Sequence, residues 1–219
     1  MNSLQISYND MGNKLNMKYR LLSLLLILIV TGCAQTPPPS QQAPTDISWE
    51  SQISQLEQLN DWSFSGKLGV FSPEGRDSVN INWQQSKNNF HIILTATLGV
   101  NVLDINKTDD FTVIIDGETY QSSDLDMLIT ELSGMRLPIQ ELQQWIKGNP
   151  SGASYQLDEN KQLVSLLGGQ KNTGLWLISY SDFRYIENIN LPHSLQLTRG
   201  DLRLKFKISN WEIPLQNNK

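Results

Sequence analysis

Leu202-Arg203-Leu204-Lys205-Phe206-Lys207-Ile208-Ser209 is the stretch that decides the fold, because its apolar and polar residues alternate strictly. Such alternation is typical of a β-strand with one buried side and one solvent-facing side. By the same reasoning we expect further strands at residues 62–70, 79–84, 90–94, 101–105, 111–115, 155–158, 163–167, 175–180 and 195–198. Closely spaced strands with polar turns predict an antiparallel meander with one buried face.

Three segments depart from this period and predict helices. The first ends near Asn60, with Asp46 or Ser48 as its N-cap. The second covers residues 124–134 and the third residues 138–148, each ending at a glycine. The expected fold class is therefore α+β, a strongly curved antiparallel sheet with an insert of two helices packed on one side.

The N-terminal region has the pattern of a secretory signal peptide. A short basic segment, Met17-Lys18-Tyr19-Arg20, precedes the apolar run of residues 21–30. This run is too short to span a bilayer, which needs about 20 apolar residues. Residues 1–16 contain Asp10 and fit poorly as a basic segment, so Met17 is a better translation start than Met1. We expect residues 1–32 to be removed.

The single cysteine, Cys33, directly follows this segment. A lone cysteine is ordinarily a buried core residue, but this one lies between the signal core and Pro37-Pro38-Pro39. Val30-Thr31-Gly32-Cys33 resembles the lipobox of bacterial lipoproteins, which implies cleavage before Cys33 and acylation of that residue. Residues 34–46 then form a flexible tether, residues 47–213 one domain, and residues 214–219 a C-terminal tail.

Composition argues against several classes of function. The formal net charge is −5, and the loss of the basic signal segment makes it more negative, which disfavours non-specific nucleic-acid binding. The two histidines, His91 and His193, lack the spacing of metal ligands. No nucleophile elbow or phosphate-binding loop is present in the sequence. We therefore predict a protein that is not an enzyme and needs no cofactor or metal; an envelope hydrolase would need a carboxylate pair or a Ser–His pair that the spacing does not reveal.

Apolar and aromatic side chains are the more informative set. Each one is most simply a core residue, but together, on a curved sheet, they could line a hydrophobic cavity. An acyl chain gains about 0.8 kcal/mol for each CH₂ group buried in such a cavity. The candidate lining residues are Trp83, Phe90, Ile92, Leu94, Tyr120, Trp145, Trp176 and Tyr180.

The turn Thr97-Leu98-Gly99-Val100 joins two expected strands and places a leucine near its tip. Exposed single leucines are common on protein surfaces. From the residues alone, Leu98 could equally fold back onto its own sheet or protrude.

Several segments taken in order resemble the LolB family of outer-membrane lipoprotein acceptors. They extend from Cys33 to about Trp211 and include residues 62–68, 82–85, 94–99, 132–139, 142–148 and 204–211. The family loop usually reads Asn-Pro-Leu-Gly, whereas this chain has Ala96-Thr97-Leu98-Gly99.

The resemblance implies a half-barrel sheet with a helical lid enclosing a hydrophobic cavity. It implies a monomer anchored through Cys33 to the periplasmic face of the outer membrane. This protein would accept lipoproteins from the periplasmic carrier LolA and insert them among the outer-membrane phospholipids, with Leu98 and Gly99 as the membrane-insertion loop. The alternative is a lipid-anchored envelope scaffold that binds protein partners and has a solid core.

Overall fold

The computed structural model describes residues 48–96, 99–134, 136–169 and 174–214. The expected signal peptide, Cys33 as the expected lipidation site, the expected tether and Leu98 lie outside these residues, and so does most of the expected C-terminal tail. None of the helices within the described ranges is long and apolar enough to cross a membrane.

The described part of the chain forms one eleven-stranded antiparallel sheet. In chain order its strands are β1 (Asp61–Ser72), β2 (Gly75–Ser86), β3 (Asn89–Thr95), β4 (Asn101–Lys107), β5 (Phe111–Ile115), β6 (Glu118–Ser122), β7 (Ser154–Leu157), β8 (Leu163–Gly168), β9 (Trp176–Ile186), β10 (Ile189–Arg199) and β11 (Leu202–Glu212). The spatial order is β6-β5-β4-β3-β2-β1-β11-β10-β9-β8-β7. The first and last strands therefore pair at the centre, and β6 and β7 are the edges.

Three helices accompany the sheet within the described residues: α1 (Trp49–Gln58), α2 (Leu125–Ser133) and α3 (Ile139–Trp145). Helix α1 precedes β1, whereas α2 and α3 follow one another between β6 and β7. The α2–α3 segment thus connects the two edges of an unclosed, curved sheet. The fold class predicted from the sequence is confirmed.

One face of the sheet, called here the inner face, carries the hydrophobic core. Alternate residues of the strands point to this face, among them Phe64, Trp83, Ile178 and Phe206, and they form one buried cluster with apolar residues of all three helices. The opposite, outer face carries the intervening polar residues, so each strand has the two-sided character that its alternation predicts.

Helices α1 and α2 begin and end within two residues of the expected positions, whereas α3 ends at Trp145, three residues before the expected Gly148. The side chain of Ser48 accepts a hydrogen bond from the Ser51 N–H at 3.2 Å, and Asp124 caps α2 in the same way through Met127 N–H at 3.0 Å. Gly134 ends α2 in the left-handed conformation. Each cap satisfies backbone groups that a helix end leaves without a partner.

Strand lengths were less predictable. Strands β9 and β10 extend well beyond the expected residues 175–180 and 195–198 and meet at a two-residue turn, Glu187-Asn188. Both turn residues have positive φ, 46° and 66°, as in the type I′ turns that suit β-hairpins. Edge strand β6 had not been expected at all, because its Glu118–Ser122 sequence is largely polar.

Candidate functional site

The inner face of β1, β2, β3, β5 and β11 holds a continuous group of aromatic rings. Trp83 lies near its centre, with ring centroids 5.5 Å from Trp62, 6.0 Å from Phe64 and 6.1 Å from Phe90. The group extends to Phe111 and Trp211. At these separations tilted rings attract one another, so this part of the inner face is filled by its own side chains.

Trp83 carries an unusual polar group into this apolar region. Its side chain is 1 % exposed, and its indole Nε1 has no hydrogen-bond partner among the described residues. Leaving a buried donor unpaired costs about 1–3 kcal/mol. An acceptor brought in by a ligand would remove that cost, so Trp83 is the inner-face residue best suited to a carbonyl group.

A second group of predicted residues lies on the β8–β9 side of the inner face. The Tyr180 hydroxyl donates a hydrogen bond to the Trp145 carbonyl at 2.8 Å, which ties α3 to β9, and burial raises the pKa of Tyr180 well above its ordinary value. The indole of Trp145 lies directly against Gly168: a Cβ added there would come within 2.5 Å of Trp145 Cζ2. Gly168 in turn pairs with Trp176.

The other three predicted residues lie on β3 and β6, on the other side of the inner face. Ile92 is buried between Trp83 and Ile105 on the neighbouring strands. Leu94 and Tyr120 are half-buried and pack against the core. The Tyr120 hydroxyl donates to the Glu118 carboxylate at 2.6 Å, which raises its pKa. All eight predicted lining residues thus belong to the core cluster or pack against it.

A cleft of about 690 Å³ opens between the α2–α3 segment and the ends of β9 and β10. Pockets that bind small ligands have volumes of about 300–1,000 Å³. Its floor includes Trp176, with the Arg199 guanidinium 4.6 Å from the ring centroid. Its helical wall includes Asp126, whose pKa is raised by burial and by the nearby Glu141 and Asp124 carboxylates.

A buried lysine fixes the chain after α3 to the end of α1. Lys147 is 2 % exposed, and its Nζ donates to the carbonyls of Leu56 at 2.6 Å and Leu59 at 2.8 Å. These are carbonyls of the last turn of α1, where a positive charge is favoured. Burial nevertheless lowers the Lys147 pKa to about 8, although Glu57 acts in the opposite direction.

The structure describes the β3–β4 loop on both sides of Thr97 and Leu98 but not these two residues. The Gly99 N–H donates to the Ala96 carbonyl at 2.9 Å, and the Ala96 N–H donates to the Val100 carbonyl at 2.9 Å. Gly99 has φ of +79° with open space around it, and Val100 is 63 % exposed. The loop therefore exposes at least one apolar side chain, that of Val100, which follows Leu98 by two residues in the sequence.

Sequence reasoning omitted some members of the site. Trp62, Phe64 and Trp211 belong to the aromatic group. The alternation of β1 already indicated that Trp62 and Phe64 face inward with Trp83. The alternation of β11 would instead turn Trp211 outward, and it faces inward because the register between β1 and β11 shifts between Ser65 and Gly66. The burial of Lys147 had no signal in the sequence, because it depends on where α1 packs. Across the described ranges, no group of three or more His, Cys, Asp or Glu side chains could hold a metal ion.

An unclosed, curved antiparallel sheet with an apolar inner face and helices linking its edges defines a half-barrel protein. Two solved structures share this fold. One, from Vibrio parahaemolyticus, is described as an outer membrane lipoprotein-sorting protein domain; it is 9 % identical with a TM-score of 0.52 and covers 75 % of this chain and 92 % of its own. The other, a DUF1329 family protein from Desulfovibrio piger, is 11 % identical with a TM-score of 0.53 and covers 75 % and 90 %.

Sequence similarity identifies the family within this class. The family model described as outer membrane lipoprotein LolB matches residues 60–211. The outer-membrane lipoprotein LolB of Psychromonas ingrahamii is 49 % identical over 89 % of this chain and 96 % of its own length. That of Aeromonas hydrophila is 34 % identical over the same shares. The chain belongs to the LolB family of outer-membrane lipoproteins.

Proposed function

We propose that this protein is a lipid-anchored receptor that takes lipoproteins from the periplasmic carrier LolA and inserts them into the inner leaflet of the outer membrane. Family membership supports the setting, an outer-membrane lipoprotein. The observation that carries the mechanism is the apolar inner face, which continues across both wings of the sheet and beneath the α2–α3 segment. Acyl chains of a cargo lipoprotein would bind there.

Binding requires the α2–α3 segment to move, because apolar side chains of these helices, among them Leu128, Ile129 and Trp145, are buried in the core of the inner face. The cleft beside Trp176 and Arg199 is the natural point of entry. Each buried CH₂ group of the acyl chain contributes about 0.8 kcal/mol, and the Trp83 N–H gains an acceptor when an ester carbonyl enters. No nucleotide or catalytic step is needed if each transfer runs towards more apolar contact.

Anchor and loop have separate roles in this proposal. Cys33, acylated after removal of residues 1–32, holds the domain at the membrane through the tether of residues 34–46. Leu98 and Gly99 then contact the bilayer and promote release of the cargo. The exposed Val100 beside them supports an apolar loop surface.

The loop is tested by the substitution Leu98→Glu. Its carboxylate would resist entry into the bilayer, so we expect normal uptake of cargo from loaded LolA and loss of insertion into vesicles. A matched control is Ile114→Glu, because Ile114 is also an exposed apolar residue, 39 % exposed, but lies within β5. Insertion by Leu98→Glu at the unmodified rate would refute the role of the loop.

The close packing of the aromatic group also favours a second candidate, a lipid-anchored scaffold with a solid core. A hydrophobic fluorescent probe separates the two. The sheet and core are built from residues 48–214, so a soluble form comprising residues 34–219 keeps all the packing described. Saturable probe binding that cargo displaces supports the receptor; absence of binding by the folded protein supports the scaffold.

A further inference from the structure

The outer face of the sheet shows a separation of charge that the proposed function does not use. In an antiparallel sheet, hairpins alternate between its two ends. The β1–β2, β3–β4, β8–β9 and β10–β11 connections share one end, called here the β3–β4 end.

Five basic side chains form a patch on β1, β2 and β11, called here the basic patch: Lys67, Arg76, Arg203, Lys205 and Lys207. All five are exposed. The register places them together, because Lys67 lies directly opposite Lys207, and Phe71 lies opposite both Arg76 and Arg203. Both guanidinium groups also lie over the Phe71 ring, at 5.9 Å and 5.4 Å from its centroid.

Acidic residues on the outer face of these strands lie at the far end, where Asp61 and Glu212 are found. Glu74 and Asp201 lie in the turns beyond the patch. Asp182 pairs with Arg184 at 2.8 Å, and this contact, with a smaller contribution from the charge of Lys207, lowers the Asp182 pKa. The patch is therefore basic in a chain whose net charge is −5. Like charges directly opposite one another destabilise a sheet, so this arrangement calls for an anionic partner.

An exposed leucine cluster lies on the same face and at the same end. Leu167 and Leu177 are directly opposite one another on β8 and β9, and are 45 % and 47 % exposed. Leu175, which directly precedes β9, is 53 % exposed. Between this cluster and the basic patch lies β10, whose outward residues Gln196 and Thr198 are uncharged.

We propose that the basic patch and the leucine cluster together bind the surface of a bilayer that contains anionic phospholipid. A bilayer offers phosphate groups and, a few ångströms deeper, an apolar layer, so it satisfies both parts of this face. An acidic protein surface would satisfy only the basic part. The proposal rests on the proposed function, since it places the β3–β4 loop against the membrane into which cargo is inserted.

The test is flotation of the soluble form, residues 34–219, with vesicles of phosphatidylethanolamine alone or with about one-third phosphatidylglycerol. The triple variant Lys67→Gln, Arg203→Gln, Lys205→Gln should lower partitioning onto anionic vesicles by between about tenfold and about a hundredfold. The matched control Lys87→Gln, Lys107→Gln, Lys161→Gln removes equal charge at the opposite end, and it should bind as the unmodified protein does.

Salt separates the two parts of the surface. The contribution of the basic patch should disappear at about 0.5 M salt, because exposed charges are screened. The variant Leu167→Gln, Leu177→Gln should instead lose the binding that remains at high salt. A variant with Lys67→Arg and Lys205→Arg should keep full binding, and thermal unfolding of each variant verifies its fold.

Two results would overturn the proposal: equal vesicle binding by the triple variant and the unmodified protein, or equal loss in the control triple. Normal vesicle binding by the triple variant, together with failed uptake of cargo from loaded LolA by the same variant, would also overturn the proposal. It would indicate that the basic patch binds an acidic protein. Uptake is measured without vesicles, so its failure in the unmodified protein would refute the proposed function and leave the bilayer contact standing.

Discussion

Replacing Lys147 by methionine gives the most quantitative test of how the helices are fixed. The Lys147 ammonium is buried and donates to two carbonyls at the end of α1. Its pKa falls from 10.5 to about 8 on folding, chiefly because burial penalises the charge. Methionine keeps a similar volume and cannot titrate, so the variant isolates the effect of the proton.

The sign of the pH dependence follows from this lowered pKa. Below about pH 8 both folded and unfolded chains hold the proton, and the cost of burying the charge is present in full. Between the two pKa values the unfolded chain holds a proton that the folded chain has released, so stability rises with pH. Lowering the Lys147 pKa from 10.5 to about 8 corresponds to about 3 kcal/mol of unfolding free energy gained as the pH rises through this range.

The assay is urea unfolding of the soluble form and of Lys147→Met from about pH 7 to about pH 10. Other groups titrate equally in both proteins, so the quantity of interest is the difference in unfolding free energy. We expect the unfolding free energy of the unmodified protein to rise by about 2–3 kcal/mol relative to that of the variant as the pH increases. Lys67→Met, which replaces an exposed lysine, should show no such trend. A flat difference for Lys147→Met would refute the buried, charged lysine.

Two further predictions concern packing on the inner face and at the centre of the sheet. Trp83→Phe removes the unpaired N–H, so we expect a loss of stability below about 2 kcal/mol but weaker binding of diacylated cargo relative to a hydrocarbon probe; equal weakening for both ligands would contradict a role for the N–H. Gly66→Ala would bring a Cβ against the Lys207 backbone carbonyl, so urea unfolding should show a loss of about 2 kcal/mol or more. Gly69→Ala should cost less, because its Cβ would meet only the movable ring of Phe71 at 3.0 Å, and equal losses would contradict this account.

Most of the fold could be predicted from the alternation of apolar and polar residues and from the helix-capping residues. The strict period of β11 and the caps at Ser48 and Asp124 are local signals, because each depends on neighbours within a few residues. Strand β6 and the extensions of β9 and β10 were missed for the complementary reason. The polar residues of β6, and Asp182 and Pro192 within the extensions, are poor strand formers. They lie in strands because partner strands supply backbone hydrogen bonds, and that pairing is not visible in a single segment of sequence.

The candidate site was predictable to a similar degree. Trp83 and Tyr180 were located on the inner face because each lies in an alternating strand. The hydrogen bonds of Lys147 and the grouping of the basic patch required the tertiary structure, since both join residues that are distant in sequence. Whether Leu98 protrudes remains a prediction.

The central claim is that acyl chains of the cargo bind to the inner face. A photoreactive amino acid at Leu94, which faces inward and is half-buried, tests it directly. The control position is the adjacent Ile93, which faces outward opposite Asn82 and Asp104. After transfer from loaded LolA, we predict crosslinks from Leu94 to acylated cargo, none to cargo without acyl chains, and none from Ile93. Equal crosslinking from both positions, or crosslinking from Ile93 alone, would contradict binding at the inner face.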